Sequence, residues 1–190
     1  MGLYPIAIFF LGLWLKDREW LKLLGFCMIL SIFQVFLDWF LAAQLNILVF
    51  PEDGLFKIGA VSGYMAGLWT IPMFQIIFIG QRIKVRFSEK AALIAVAVTT
   101  YILFTLSEET FWMIPSWSAK NVTMIHYSAL YVLIPEIILR LSGYIAYEKI
   151  KDRVLGIRIM AAFFVMTFYI GNLAFFYFLI ERIILKHSVM

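Results

Sequence analysis

The chain has 190 residues, of which 64% belong to the apolar set AVILMFWYC and 15% are charged, and its formal net charge is +4. Because a soluble domain carries roughly a quarter charged residues, this composition cannot supply a water-facing surface and excludes a soluble fold. With a mean hydropathy of +0.93, the sequence predicts an all-α, polytopic membrane protein, and its length suits one domain, residues 1–190.

The first 15 residues, MGLYPIAIFFLGLWL, lack both a basic n-region and a small-residue cleavage site. We therefore expect a short first membrane helix here and no cleavable signal peptide. At 1.5 Å per residue this helix covers about 22 Å, which is less than the roughly 30 Å of a hydrocarbon core.

Five further stretches reach the length of about 20 apolar residues that a membrane-spanning helix needs. They are, in chain order, residues 21–50, 59–80, 91–113, 122–147 and 157–185. Short polar connections separate them. The predicted fold is a bundle of about six transmembrane helices.

Positive charge alternates between successive loops. The first, third and fifth loops hold eleven of the sixteen Lys and Arg residues: Lys16, Arg18, Lys22, Arg82, Lys84, Arg86, Lys90, Lys149, Lys151, Arg153 and Arg158. Because cytoplasmic loops carry the excess of basic residues, we expect these loops inside and both termini outside. This distribution also explains the net charge better than nucleic-acid binding does, since no single face collects the basic residues.

Cysteine and histidine residues give no sign of a metal or disulfide site. Cys27 is the single cysteine and lies in an apolar stretch, so we expect it to serve in packing. His126 and His187 are far apart and lack the spacing of metal ligands.

A weak internal repeat relates the second and third helices to the fourth and fifth. LNILVFPEDG followed by GLWTIPMFQ is similar to SEETFWMIPSW followed by ALYVLIPEI, and both halves place an Ile-Pro inside the next helix, at Pro72 and Pro135. Duplicated helix groups often build a site between the two halves. Chance similarity between apolar segments is the alternative explanation.

Acidic residues inside the predicted helices are candidate catalytic groups, because a charged side chain in lipid costs roughly 2.5 to 3.5 kcal/mol on insertion scales. Asp38 lies near the middle of the second helix, and Glu136 near the middle of the fifth. Glu108 and Glu109 lie near the outer end of the fourth helix. Consecutive helical residues point about 100° apart, so one glutamate can face the headgroups while the other turns inward.

The intramembrane charges allow structural and functional interpretations. Glu136 and Arg140 are four residues apart in the favourable order for a helical ion pair; alternatively, Arg140 holds Glu136 ionised or binds an anionic group of a lipid substrate. Asp38 has no cation in reach on its own helix, so it either packs as a hydrogen-bonded group or stays protonated and can donate a proton. An inward glutamate near Asp38 would favour keeping one of the two protonated.

Aromatic residues accompany these acids. Trp39, Trp69 and Tyr131 lie deeper than an interfacial belt of Trp and Tyr, and aromatic faces stabilise a desolvated cation by up to about 2 kcal/mol. The candidate substrate-binding residues are Trp39, Trp69, Trp112, Tyr127, Tyr131, Arg140, Gln75 and Asn46.

Asp38 within a helix, followed by NILVFP, GLWTIP, SEETFW and IPEII, resembles the small membrane-integral cyclases, namely the heterodimer-type lycopene cyclases and the terpene cyclases of meroterpenoid pathways. The similarity covers roughly residues 30–145. It implies a helical bundle that uses carboxylates to protonate an alkene or epoxide, without metal or cofactor. Lycopene cyclases carry Pro-x-Glu-Glu, whereas Pro72 here leads into PMFQ and Glu136 directly follows Pro135.

The sequence also resembles families of small bacterial inner-membrane proteins. This resemblance implies that the protein is located in the bacterial inner membrane. Our leading hypothesis is a terpene cyclase-like enzyme in which Asp38 or Glu109 donates a proton to an isoprenoid or lipid substrate. A small transporter, a lipid-binding membrane protein and a structural subunit are the alternatives. A closed, aromatic, acid-bearing cavity would favour the enzyme, a polar path open to both sides would favour transport, and a solid core would favour the subunit.

Overall fold

The structure is a computed structural model that describes residues 3–52, 56–111, 113–114 and 116–185. Over these ranges the chain is mostly helical. The α-helices are α1 (Leu3–Trp14), α2 (Arg18–Trp39), α3 (Met65–Leu68), α4 (Thr70–Arg86), α5 (Glu89–Phe111), α6 (Leu133–Ile150) and α7 (Leu155–Tyr177). The π-helices Phe40–Gln44 and Phe178–Ile184 continue α2 and α7, and the 3₁₀ turn Leu130–Val132 leads into α6.

Three pairs of two-residue strands lie in the connections after α2 and α5. Strand β1 (Leu48–Val49) pairs antiparallel with β4 (Ser118–Ala119) and so joins the two connections. Each connection also contains a hairpin, formed by β2 (Lys57–Ile58) with β3 (Val61–Ser62), and by β5 (Met124–Ile125) with β6 (Ser128–Ala129). Gly59 and His126 occupy the left-handed region in the two turns, with φ of 62° and 53°.

Local sequence explains where the helices begin. Asp17 caps α2, because its Oδ1 accepts a hydrogen bond from the Trp20 backbone N–H at 3.0 Å. Ser88 accepts from the Ala91 backbone N–H at 3.1 Å at the start of α5. Pro72 and Pro135 both lie in the first turn of their helices, where a missing N–H is tolerated. They therefore begin α4 and α6 instead of bending a helix at its middle.

Within the described part of the chain, four helical segments are long and apolar enough to cross a membrane. They are Arg18–Gln44, Glu89–Thr110, Leu130–Ile150 and Leu155–Ile184. This confirms the prediction of a mostly helical protein and is consistent with a membrane protein. The three other α-helices are shorter: α1 has 12 residues, α3 has 4 and α4 has 17.

Five helices surround the core. α2 packs against α4 and α7, α5 packs against α4 and α6, and α6 also packs against α7, while α1 lies outside against α2 and α4. The core contains large side chains such as Phe26, Tyr144 and Tyr147, and it buries Cys27 completely. Large apolar side chains such as Phe164 remain exposed on the outer faces, as expected for a surface in contact with lipid.

The two ends of the bundle differ in charge. At the basic end, Lys22 contacts Asp152 at 2.8 Å, Gln81 donates to Glu148 at 2.9 Å, and ion pairs connect the ends of α4, α5 and α6. At the opposite end, which we call the capped end, the ladder of β1 and β4 and the two hairpins lie over the helices. The loops richest in Lys and Arg are those of the basic end.

Three predicted helix boundaries need correction. Residues 59–80 were expected to be one helix, but the chain first forms a hairpin, and α4 continues to Arg86. Likewise, the expected helix 122–147 begins only after the second hairpin and ends at Ile150, and the expected helix 21–50 ends at Gln44. The apolar hairpin segments add to the hydropathy of the neighbouring helices, and periodicity does not separate short apolar strands from helix.

Candidate functional site

A cavity of about 370 Å³ lies in the half of the bundle nearest the capped end. Side chains from α2, α4, α5, α6 and α7 form its walls, and Leu48 and Ala119 of the strand ladder contribute to its cover. Most of the lining is apolar. Gln75 lines the cavity and is also exposed, and it hydrogen-bonds Tyr4 of α1. The cavity therefore approaches the outer surface beside α1 and α4.

Asp38 is 2% exposed and lines this cavity. The Trp69 indole Nε1 donates a hydrogen bond to its Oδ2 at 3.2 Å. The π-helix begins two residues later, at Phe40, and such interruptions of a helix occur frequently at functional sites. Asp38 is therefore held by a partner from the turn between α3 and α4, and it lies near the end of its own helix, not at the middle.

Glu136 and Arg140 form a buried ion pair in the cavity wall. Arg140 Nη2 lies 3.1 Å from Glu136 Oε2, and the Tyr169 hydroxyl donates to Glu136 Oε1. The Arg140 guanidinium also lies over the Trp69 ring, with 5.0 Å between Cζ and the ring centroid. The same indole therefore contacts both Arg140 and Asp38.

The two adjacent glutamates have different surroundings. Glu108 lines the cavity and is hydrogen-bonded to the Trp117 side chain. Glu109 instead accepts a hydrogen bond from the Tyr127 backbone N–H at 3.2 Å, in the turn of the second hairpin. The inward carboxyl is thus Glu108, whereas the sequence interpretation had preferred Glu109 as a proton donor.

The structure brings seven of the candidate residues together around the cavity. They are Asp38, Trp69, Gln75, Glu108, Tyr131, Glu136 and Arg140. They come from α2, α4, α5 and α6, from the turn between α3 and α4, and from the turn before α6, so their meeting depends on tertiary packing. Their assignment as catalytic or substrate-binding residues stays a prediction.

Four other candidates lie outside the cavity lining. Besides Glu109, Trp39 is 41% exposed and its ring lies next to Gly59 of the first hairpin. Tyr127 is 50% exposed in the second hairpin. Asn46 is exposed in the connection after α2, where its carbonyl accepts a hydrogen bond from Asn121. These four side chains therefore do not line the cavity, and Trp112 lies outside the described residues.

Some cavity residues were not found from the sequence. Tyr169 and Trp117 contact the acids directly, and Thr100, Phe104 and Ser107 of α5 complete the wall. Tyr169 carries the only detectable signal, since a buried hydroxyl in an apolar helix requires a hydrogen-bond partner. The partner itself, 33 residues away in the chain, could not be read from the sequence.

Chemically, the cavity combines three carboxyl groups and one guanidinium with an apolar, aromatic lining. Among the described residues, no three His, Cys, Asp or Glu side chains are arranged to hold a metal ion. Such a site can hold an apolar ligand and exchange protons with it, because acidic groups and aromatic faces meet in one mostly apolar space.

The family described as Domain of unknown function (DUF6989) matches residues 35–180 of the chain. This range covers more than half of the sequence and includes every cavity-lining residue named above, so the chain belongs to this family. No curated protein and no solved structure matches the chain.

Proposed function

We propose that this member of the DUF6989 family is an integral membrane enzyme that isomerises or cyclises an isoprenoid after protonation by a buried carboxylic acid. The observation that carries the proposal is the cavity in which Asp38 and Glu108 lie beside aromatic side chains. Ligand pockets commonly measure about 300 to 1,000 Å³. A cavity of about 370 Å³ suits a small apolar substrate better than a whole phospholipid.

Charge balance separates the roles of the three carboxyl groups. An arginine side chain does not lose its proton in proteins, so the buried Arg140 needs a counter-ion, and its contact with Glu136 supplies one. No ion pair reaches Asp38 or Glu108 among the described residues. Each accepts a hydrogen bond from an indole instead. Asp38 and Glu108 are therefore the candidate proton donors.

The proposed reaction starts when one of these acids transfers its proton to a carbon–carbon double bond. This leaves a carboxylate and a carbocation, which the π faces of Trp69 and Tyr131 stabilise by up to about 2 kcal/mol each. The positive charge moves as a ring bond forms or the double bond shifts. Loss of a proton from a neighbouring carbon to the carboxylate then restores the neutral acid, so no oxidant or cofactor is consumed.

We also propose that the helix pairs α2–α4 and α5–α6 are copies of one unit. Glu108 follows Asp38 by seventy residues, and the two residues of β4 follow those of β1 by the same seventy. Strands β1 and β4 pair with each other antiparallel, as equivalent segments do across a two-fold axis. In this arrangement the two candidate acids are equivalent residues of the two copies, which meet at their interface.

For the membrane arrangement, we propose six spans, with α1 and α4 as the two short ones. The basic end would face the cytoplasm of a bacterial inner membrane, and both termini would lie on the other side. The support is the collection of basic loops at one end, which is the distribution found in cytoplasmic loops. Under this proposal the cavity opens into the outer half of the bilayer.

The test uses the purified chain in lipid nanodiscs, with farnesol as the probe in deuterated water. We expect a rearranged product that carries deuterium on carbon, because the proton comes from an acid that exchanges with solvent. Replacing Asp38 with Asn should slow product formation at least 100-fold, the lower range for loss of a general acid. Asp152→Asn, a change of an exposed acid at the basic end, is the matched control.

Two results would reject the enzyme proposal. One is folded wild-type protein that binds farnesol but incorporates no deuterium into its carbon skeleton. The other is an unchanged product and rate in both Asp38→Asn and Glu108→Gln, since one of these acids must supply the proton.

A second candidate, a proton-coupled or solute transporter, is favoured by a specific feature of α2. Ser31 and Gln34 precede Asp38 by about two turns and one turn, and both side chains are buried without hydrogen-bond partners among the described residues. They could extend a polar path from the cavity toward the basic end. Proton flux into proteoliposomes that Gln34→Leu abolishes would support this candidate.

A further inference from the structure

Arg140 has hydrogen-bonding capacity that its protein contacts do not use. Its side chain is buried and lines the cavity, and a guanidinium carries five N–H donors. Nη2 faces Glu136, but Nε and Nη1 have no hydrogen-bond partner within the residues that the structure describes. Because an unmet donor on a charged group is costly when buried, a cavity ligand or a water molecule is the natural source of the missing acceptor.

The charge of the site indicates which acceptor fits. Glu136 already balances Arg140, and Tyr169 donates to the other oxygen of that carboxylate. An anionic ligand would add an unbalanced negative charge to an apolar cavity that also holds Asp38 and Glu108, which is unfavourable. A neutral oxygen accepts a hydrogen bond from Arg140 and leaves the charge balance unchanged.

Trp69 connects this donor with a candidate acid. Its ring lies under the guanidinium, with 5.0 Å between the centroid and Arg140 Cζ, and its Nε1 donates to Asp38. If the oxygen of a ligand binds at Arg140, the carbon atoms next to that oxygen would therefore lie along the Trp69 indole, which contacts Asp38. Binding at one end would then determine which carbon approaches the acid.

We infer that Arg140 anchors a single neutral oxygen, as found in a hydroxyl, carbonyl or ether group, of an otherwise apolar ligand. The direction of the ligand toward Asp38 rests on the proposed function, whereas the oxygen anchor itself does not. In this assignment Arg140 is a binding and positioning residue, and the proton comes from another group.

The test measures binding of farnesol, its saturated hydrocarbon farnesane and farnesoic acid to the protein in nanodiscs. Quenching of tryptophan fluorescence reports occupancy, and protein-free nanodiscs correct for partition into lipid. We expect wild-type protein to bind farnesol at least tenfold more tightly than farnesane, as one hydrogen bond to a charged group allows. Farnesoic acid, measured as its anion, should bind more weakly than farnesol.

The informative variant is the double substitution Glu136→Gln with Arg140→Met, which removes the donors without leaving a buried charge unpaired. The preference for farnesol should fall below about twofold, in keeping with loss of that hydrogen bond. If this variant does not fold, Arg140→Lys provides the second measurement, since lysine keeps the charge but not the planar set of donors. We expect it to give an intermediate preference.

Equal binding of farnesol and farnesane to wild-type protein would overturn the inference. So would a preference that persists in the double variant, or tightest binding of farnesoic acid. Asp38→Asn distinguishes this inference from the proposed function, because it should retain the preference for farnesol while losing any product. If the wild-type protein prefers farnesol but makes no product, the inference about Arg140 holds and the enzyme proposal is rejected.

Discussion

Glu108 and Glu109 are adjacent in the chain but serve different parts of the molecule. Glu108 lines the cavity, whereas Glu109 accepts a hydrogen bond from the Tyr127 backbone in the second hairpin. We therefore expect Glu108→Gln to reduce product formation from farnesol at least tenfold while the thermal stability changes little. The reason is that the amide keeps the size of the acid but cannot donate its proton in the same way.

The neighbouring substitution Glu109→Gln is the control for this experiment. Its amide oxygen can still accept from the Tyr127 backbone N–H, so activity should stay within about twofold of wild type and at most a hydrogen-bond energy of about 1 kcal/mol should be lost. A larger loss of activity in Glu109→Gln than in Glu108→Gln would show that the wrong glutamate has been assigned to the cavity.

Close packing at Gly80 predicts a sensitive position in the bundle. A Cβ placed there would lie 2.6 Å from Val96 Cγ2 and 2.9 Å from Tyr144 Cε2, so α5 and α6 leave no space for a methyl group. We expect Gly80→Ala to destabilise the protein by about 1 to 3 kcal/mol, the usual cost of overpacking. Thermal unfolding in detergent measures the change.

Gly171 in α7 provides the matched substitution. Apart from its chain neighbours and the backbone of its own helix, no described atom lies within 4 Å of a Cβ built at this position. Gly171→Ala should therefore be neutral or stabilising by less than about 1 kcal/mol, since alanine restricts the unfolded chain. Equal destabilisation by both substitutions would contradict the packing described for α4.

Glu148 connects the end of α6 with α4 at the basic end. Its carboxylate accepts hydrogen bonds from Gln81 at 2.9 Å and Lys84 at 2.8 Å, and a longer one from Lys151 at 3.3 Å. Glu148→Gln should lower the free energy of unfolding by about 1 kcal/mol, because hydrogen bonds to a charged group are lost at a partly buried site. Denaturation monitored by circular dichroism checks this value.

An exposed acid of the same end serves for comparison. The Asp152 side chain is 73% exposed and pairs with Lys22 at 2.8 Å, and exposed ion pairs contribute little to stability. Asp152→Asn should leave the unfolding transition unchanged within error. If it destabilises as much as Glu148→Gln, then net charge and not the Glu148 contacts governs the stability of this end.

The orientation of the bundle can be tested with two cysteine substitutions at exposed lysines, Lys90→Cys at the basic end and Lys120→Cys at the capped end. The natural thiol of Cys27 is fully buried and should stay unreactive. On intact cells, a membrane-impermeant maleimide should label only the cysteine at position 120, because basic loops face the cytoplasm. Inverted vesicles should give the opposite pattern, and labelling of position 90 on intact cells would reverse the proposed orientation.

The sequence predicted those features that depend on composition along the chain. Hydropathy identified the apolar segments, and the alternation of Lys and Arg located the loops that collect at one end. Because a charged side chain in an apolar segment is costly in free energy, the sequence indicated Asp38, Glu136 and Arg140 as candidate site residues, and all three line the cavity. Each of these signals is local, so each could be read without knowing which helices pack together.

Contacts between distant segments needed the tertiary structure. The helical rotation of 100° per residue made one of the two adjacent glutamates a candidate for the interior, but only the packing of α5 against α4 and α6 shows that it is Glu108. Likewise, the sequence placed Trp39 beside Asp38, whereas the acid receives its hydrogen bond from Trp69, 31 residues away. Composition and charge act along the chain and determined that this protein is mostly helical, with helices long and apolar enough to cross a membrane and with acids inside them. Which side chains share the cavity was decided by packing, because that depends on distances between helices that the linear order of residues does not contain.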